Sequence, residues 1–222
     1  KNKGGEKIGC KAEFNLTTKS YSFHVTSNKN LIQPGNIARN GAFCLKCKHP
    51  ISFKYIKKEG LNGCINAQLL AIVVKGTRKK IYINATESDF SLSQNITIND
   101  TPSESLPEKA LGFRIQAYGF TKHKDLYTKR QLFALLKFSE SINEIFDIIY
   151  KDAITAGLPI DQTPLETGGN GAYAYSEYIK TLLAFSLDRC AYFNSSFCIW
   201  APTNEKVMHM FGRQAIPMVW DF

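Results

Sequence analysis

The 222-residue chain has no long apolar run: its densest stretch, residues 69–74, holds six apolar residues in succession. A membrane-spanning helix needs about 18, so no membrane partner is expected. A secretory signal is missing as well, because no apolar stretch follows the basic start Lys1-Asn2-Lys3-Gly4-Gly5. The first residue is not Met, and the chain reads as a fragment. No internal repeat stands out. Walker loop, dinucleotide fingerprint, nucleophile elbow and zinc-protease signature are all absent. His24, His49, His123 and His209 show no ligand-type spacing. These absences leave no residue to which catalysis or cofactor binding can be assigned, and the chain alone is expected to be inactive.

What is present is enough for a core. The chain is 44% hydrophobic and 12% aromatic, which excludes a disordered or collagen-like polymer. Its formal charge of +9 is unevenly placed: residues 1–89 carry 16 Lys+Arg against 5 Asp+Glu, and residues 90–222 carry 12 against 14. Such a basic excess favours nucleic acid or an anionic membrane face over a neutral small ligand, although solvated lysines in a Lys-rich, Asn-rich chain give the same count.

Six cysteines stand at Cys10, Cys44, Cys47, Cys64, Cys190 and Cys198. Without a secretory signal they are expected to be reduced, in a cytoplasmic protein. The Asn-x-Ser/Thr triplets at Asn15, Asn84, Asn95, Asn99 and Asn194 are then chance matches.

The hydrophobic pattern predicts an α+β chain: a β-rich zinc-ribbon-like segment followed by a mainly helical one. Tyr21-Ser22-Phe23-His24-Val25 and Ile51-Ser52-Phe53-Lys54-Tyr55-Ile56 alternate as half-buried strands do. Residues 67–74 are ambiguous, with strand favoured for their second half and Ile81-Tyr82-Ile83 as its hairpin partner across residues 76–80. Residues 84–110 are polar and contain Pro102 and Pro107. Residues 113–118 read as one more strand. From Thr128, a plausible N-cap, a stripe at gaps of three or four (Leu132, Leu135, Leu136, Ser139, Ile142, Ile145, Phe146, Ile149) predicts one helix of about six turns ending at Ala156-Gly157. A second helix carries Tyr175, Tyr178, Ile179, Leu182, Leu183, Phe185 and Leu187 and runs to about Asn194, and Pro202-Thr203-Asn204-Glu205 looks like a further helix start. The division is a basic β-rich segment over residues 1–90, a linker or mobile loop over 91–110, and a mainly helical segment over 111–222.

Cys44-Leu45-Lys46-Cys47 is the sharpest local signal. Two thiolates two residues apart form a zinc knuckle, and tetrahedral zinc needs two further ligands. Cys10, Cys64, His24 and His49 are candidates. A half-site completed from outside the chain, a reduced pair and a redox dithiol remain open beside a complete site. Two basic clusters, Lys54, Lys57 and Lys58, then Arg78, Lys79 and Lys80, interleave with Phe53, Tyr55 and Tyr82. Such clusters take phosphates without regard to base sequence; the alternative is a solvated hairpin with its aromatics in the core. Gly168-Gly169-Asn170-Gly171 opens a helix and is either a phosphate cradle or a plain loop.

Longer strings carry a family resemblance. Leu126-Tyr127-Thr128-Lys129-Arg130-Gln131-Leu132, the run from Gly168 to Tyr175, Phe185-Ser186-Leu187-Asp188-Arg189, Asn194-Ser195-Ser196-Phe197-Cys198-Ile199-Trp200 and the closing Phe211-Gly212-Arg213-Gln214-Ala215-Ile216-Pro217-Met218-Val219-Trp220-Asp221-Phe222 resemble the large bacterial and archaeal adenine-specific DNA methylases that contain a zinc ribbon. Cys44-x-x-Cys47 and Gly63-x-x-x-Ala67-Gln68-Leu69 fit the same family's middle section. The resemblance implies an S-adenosylmethionine motif upstream and an Asp-Pro-Pro-Tyr motif downstream that grips a flipped adenine. Neither occurs here, so the chain would be the middle of such an enzyme. The family's other cysteine pair would precede Lys1, making Cys44 and Cys47 half of a ribbon. That weakens Cys10 and Cys64, and Cys64 stands where the family has a basic residue. The implied partners are double-stranded DNA and the remaining catalytic part of the same polypeptide. The alternative is a structural or protein-interaction module of a phage-defence or restriction-type assembly, without DNA contact of its own.

Overall fold

The computed structural model describes residues 6–108, 110 and 112–220, with residues 93 and 94 described in backbone only. The basic start at residues 1–5 and the last two residues of the closing motif, Asp221 and Phe222, lie outside the described residues. The fold is α+β, with small antiparallel sheets and five α-helices among the described residues. None of these helices is long and apolar enough to cross a membrane. The chain divides into two compact units, residues 1–128 with 196–222, and residues 129–195.

The first unit opens with β1 (Gly9–Asn15) and β2 (Ser20–Thr26), paired antiparallel from Gly9 opposite Thr26 to Asn15 opposite Ser20. Asn15 Oδ1 closes the turn by accepting the N–H groups of Thr17 and Thr18 at 2.9 and 3.2 Å, the local bonding that makes Asn a turn former. A three-stranded meander follows, β3 (Ile37–Ala38), β4 (Gly41–Phe43) and β5 (Pro50–Ser52).

The alternating run at 51–56 is a strand only as far as Ser52. Ser52 Oγ then accepts the Tyr55 N–H at 3.2 Å and caps α1 (Phe53–Leu61). The same apolar residues that alternate also fit i, i+3 spacing, and the cap decides between the two periods. Gly60, the buried residue of α1, meets Gly119 backbone to backbone: a Cβ on Gly60 would stand 2.4 Å from the Tyr118 carbonyl oxygen, and one on Gly119, at φ +90°, would stand 2.3 Å from the Gly60 carbonyl oxygen.

The hairpin expected over 67–83 is β6 (Ile72–Lys75) with β7 (Lys80–Ile83), and residues 64–71 carry no regular structure. The polar stretch read as a linker holds α2 (Glu87–Gln94), started by a capping box in which Thr86 Oγ1 accepts the Asp89 N–H and Asp89 accepts the Thr86 N–H at 2.9 Å. Farther along, Leu106 is buried and its N–H reaches the Thr121 carbonyl at 2.7 Å. The strand expected over 113–118 is instead a 3₁₀ turn, Gln116–Tyr118, preceded by the fully buried Ile115. The helix start expected at Pro202 is the turn of a hairpin between β8 (Trp200–Ala201) and β9 (Lys206–Val207). Glu205 closes that turn at φ +48° with its side chain buried.

The core of this unit gathers Leu106, Ile115, Tyr118, Leu126, Phe197, Met210 and Ile216. Phe120 meets Phe197 edge-on at 5.0 Å, and Tyr118 meets Trp220 at 5.2 Å. The Leu126 carbonyl accepts both the N–H and the hydroxyl of Ser196 at 2.9 Å. Leu126, Ser196 and Phe197, and Trp220 of the closing string, are thus tied into this unit.

The second unit is helical. The stripe predicted as one helix is divided into α3 (Lys129–Glu144) and α4 (Phe146–Thr155), with Ile145 between them at φ −73°, ψ −13°. Neither Pro nor Gly marks the break, and the apolar period runs straight through it. Then α5 (Ala172–Phe193) packs through Ala172, Ala174 and Ser176, all buried, while Ala153 of α4 is buried too. Phe146 meets Tyr173 edge-on at 5.2 Å. Tyr175, Tyr178, Leu182 and Phe185 form an exposed stripe along α5.

Candidate nucleic-acid interface and cysteine pair

The cysteine pair occupies the turn between β4 and β5. Cys44 N–H donates to the His49 carbonyl and Lys48 N–H to the Cys44 carbonyl, both at 2.9 Å, with Lys48 in the left-handed region at φ +60°. This tight turn brings the Cys47 and Lys46 N–H groups onto Cys44 Sγ. Tyr21 Oη lies 3.8 Å from the same sulfur. These donors stabilise the thiolate and pull the Cys44 thiol down to about 7, with the Cys47 N–H the largest cause. Burial acts the opposite way on Cys10, raising its thiol above the ordinary value. The turn rests on the β1–β2 hairpin: Lys46 Nζ lies 4.4 Å over the Phe14 ring, which packs on Tyr21 at 5.0 Å.

Two thiols on one turn, one of them activated by backbone N–H groups, fit one half of a tetrahedral zinc site. Among the described residues no group of three or more His, Cys, Asp or Glu stands where it could share an ion. Cys10, Cys64, His24 and His49 are therefore not gathered on the pair, and no chemistry is routed through a metal here.

The six basic candidates fall on two elements of the same unit. Lys54, Lys57 and Lys58 are exposed on α1, as is Tyr55. Tyr55 is therefore not the core residue that the solvated-hairpin alternative required. Lys57 Nζ lies 5.6 Å over the Tyr118 ring, and Lys58 sits in the last helical turn, where the helix dipole favours a cation. Arg78 and Lys79 lie in the β6–β7 turn, closed by Gly76 N–H to the Lys79 carbonyl at 3.1 Å, and Lys80 begins β7. Lys79 Nζ meets Glu6 at 3.2 Å. Lys54, Lys57, Lys58, Arg78 and Lys80 make no ion pair among the described residues. Lys80 Nζ stands 5.7 Å over Trp200, and Tyr82 meets the same indole edge-on at 6.2 Å while donating its hydroxyl to Glu205 at 3.4 Å.

Lys75 is a further exposed cation that sequence reasoning passed over. The strand register places it directly opposite Lys80, and hairpin pairing was the signal that could have found it. Two side-chain bonds tie this region to β2: Asn84 Oδ1 accepts the Val25 N–H, and Gln68 Nε2 donates to the Tyr21 carbonyl, both at 2.6 Å.

The glycine-rich stretch before α5 has its backbone donors engaged by its own loop. Gly169 N–H reaches the Pro164 carbonyl at 3.0 Å and Ala172 N–H the Pro159 carbonyl at 2.9 Å. Asp161, held below the usual carboxylate range chiefly by the Thr163 hydroxyl, also accepts a backbone bond from Asn170. These bonds seat much of the glycine loop on its own neighbours, as the plain-loop alternative expects.

No family model matches the chain, and neither a curated protein nor a solved structure matches it.

Proposed function

We propose that the chain belongs to a cytoplasmic, S-adenosylmethionine-dependent adenine-specific DNA methyltransferase, in which it contacts double-stranded DNA and scaffolds the catalytic part of the same polypeptide. The observation that supports DNA contact is the display of exposed cations on α1 and the β6–β7 hairpin with Lys79–Glu6, among the described residues, as the one ion pair of the six candidates. Phosphate neutralisation by such side chains releases condensed counterions, so binding weakens steeply with salt. The resemblance of the core-forming strings to the methylase family supplies the methyl-transfer reading. Cys44 and Cys47 would be the half of a zinc ribbon that this chain contributes. Catalysis would belong to residues outside it.

Titrating a fluorescent DNA duplex with the full chain across a salt series tests the contact role. The expected result is saturable binding at low salt, with log K falling linearly in log salt. No binding at low salt, or binding with no salt slope, would sink it.

One observation favours a second reading, a protein-interaction module of a phage-defence or restriction-type assembly without DNA contact. The exposed stripe Tyr175, Tyr178, Leu182 and Phe185 is what a protein-contacting face looks like. DNA binding by the whole enzyme that is unchanged when charge is reversed at Arg78, Lys79 and Lys80 would favour it.

A further inference from the structure

The six basic candidates are not equivalent, and their geometry divides them. On α1 the cations have local reasons to be there: Lys57 lies on the Tyr118 ring and Lys58 complements the helix C-terminus, leaving Lys54 without one. The β6–β7 hairpin is different. Lys75 and Lys80 are directly opposed across an antiparallel pair, an arrangement that destabilises a hairpin through like-charge repulsion. Lys80 answers part of that cost through a cation–π contact over Trp200. Tyr82, two residues on and so on the same strand face, packs on the same indole and bonds the buried Glu205. That face of the hairpin is thus fastened to the β8–β9 turn, and the charge of Lys80 is engaged there. Lys75, Arg78 and Lys79 stay exposed at the free end. The Lys79–Glu6 pair is exposed on both sides, so solvent screens it and a phosphate displaces it at small cost.

We infer that the β6–β7 hairpin is the DNA-docking ribbon of this chain, with Lys75, Arg78 and Lys79 taking backbone phosphates and Lys80 acting as the fastener that holds the ribbon on Trp200. A two-stranded ribbon is narrow enough for the major groove. The inference rests on the reading that the chain contacts DNA and goes further in two ways: it adds Lys75 to the contact set and removes Lys80 from it.

The experiment is the same duplex titration, on the full chain, with three variants. Each phosphate contact adds about 0.9 to the slope of log K against log salt. The triple variant Lys75→Ala, Arg78→Ala, Lys79→Ala is expected to lose about 2.7 of that slope. Lys80→Met, which keeps an apolar stem on Trp200, is expected to keep the slope. Lys54→Ala with Lys58→Ala is expected to lose less slope per residue than the triple variant does. Circular dichroism of each variant establishes that it folds. A triple variant with the wild-type slope, or a Lys80→Met variant that loses as much slope per residue as the triple, overturns the inference while leaving DNA contact standing. A wild-type chain that binds no duplex overturns both. If polyglutamate displaces the duplex at equal charge concentration, the ribbon is a docking site for acidic protein and the DNA assignment fails.

Discussion

The two units solve burial in opposite ways. Residues 1–128 with 196–222 close a core of large side chains, Ile115, Leu126, Phe197 and Ile216, drawn from segments far apart in sequence, and display lysines outside. Residues 129–195 bury mainly small residues, Ala153, Ala172, Ala174 and Ser176, with Leu132 the large exception, and leave Phe138 and Phe185 about three-fifths exposed. The first unit thus carries the basic excess on its surface, beside exposed apolar residues such as Leu16, Leu61 and Leu92. The second draws helices close through small residues, and its outer chemistry is apolar. An anionic polymer suits the first surface and a polypeptide suits the second, which is why the two functional readings divide along the same line.

The sharpest way to break that contrast is to truncate one large residue in each unit. Ile216 is 1% exposed; Ile216→Ala should cost about 3 kcal/mol through lost burial and the cavity left behind. Phe185 is 64% exposed, and Phe185→Ser should change stability by less than about 0.5 kcal/mol. Both tryptophans, Trp200 and Trp220, lie in the first unit, so their fluorescence in a urea series follows that unit, while helical circular dichroism follows the second. Comparable losses from the two variants would mean that the contrast in burial carries no energetic weight.

The next effect sharpens the first unit alone. Gly60→Ala should gain helix propensity of about 1 kcal/mol and still destabilise by about 2 kcal/mol, because overpacking against backbone has no flexible neighbour to yield. The atom it would meet is the Tyr118 carbonyl oxygen. The midpoint of tryptophan-detected unfolding checks the sign. A stabilised Gly60→Ala would show that α1 is free to move away from the Gln116–Tyr118 turn.

Legibility followed the range of the interaction that fixes each element. The α+β class, the β6–β7 hairpin and α5 rest on period and turn residues within a few positions, and these can be read directly. The alternating run at 51–56 failed because Ser52 can end a strand and cap a helix with the same atoms. The break at Ile145 failed because no breaker residue marks it. Tyr118, read as part of a strand, is set by a backbone approach to Gly60 more than fifty positions away, which no local pattern reports. At the candidate interface the identities of the cations were legible and their roles were not. Lys80 looked like Arg78 until Trp200, over a hundred residues later, was found beneath it. The Cys44–Cys47 pair was legible as a knuckle, whereas the Tyr21 hydroxyl beside Cys44 depends on the β1–β2 hairpin packing under the turn.

The smallest effect tests that turn. Lys48 is held at φ +60° between the cysteine pair and β5, a conformation that costs an L-residue about 1–2 kcal/mol. Glycine adopts it without that penalty but loses more backbone entropy on folding, about 0.5–1 kcal/mol relative to alanine. The first term exceeds the second, so Lys48→Gly should stabilise the first unit by about 0.5 kcal/mol, seen as a higher tryptophan-detected urea midpoint. The substitution also removes a cation that faces solvent, so the salt slope of duplex binding separates strain from contact. A raised midpoint with an unchanged slope places Lys48 in the turn's strain and outside the docking ribbon. A slope reduced by about 0.9 would instead extend the basic interface from the β6–β7 hairpin to the cysteine turn, and the hairpin would no longer be the sole phosphate-bearing ribbon of the unit.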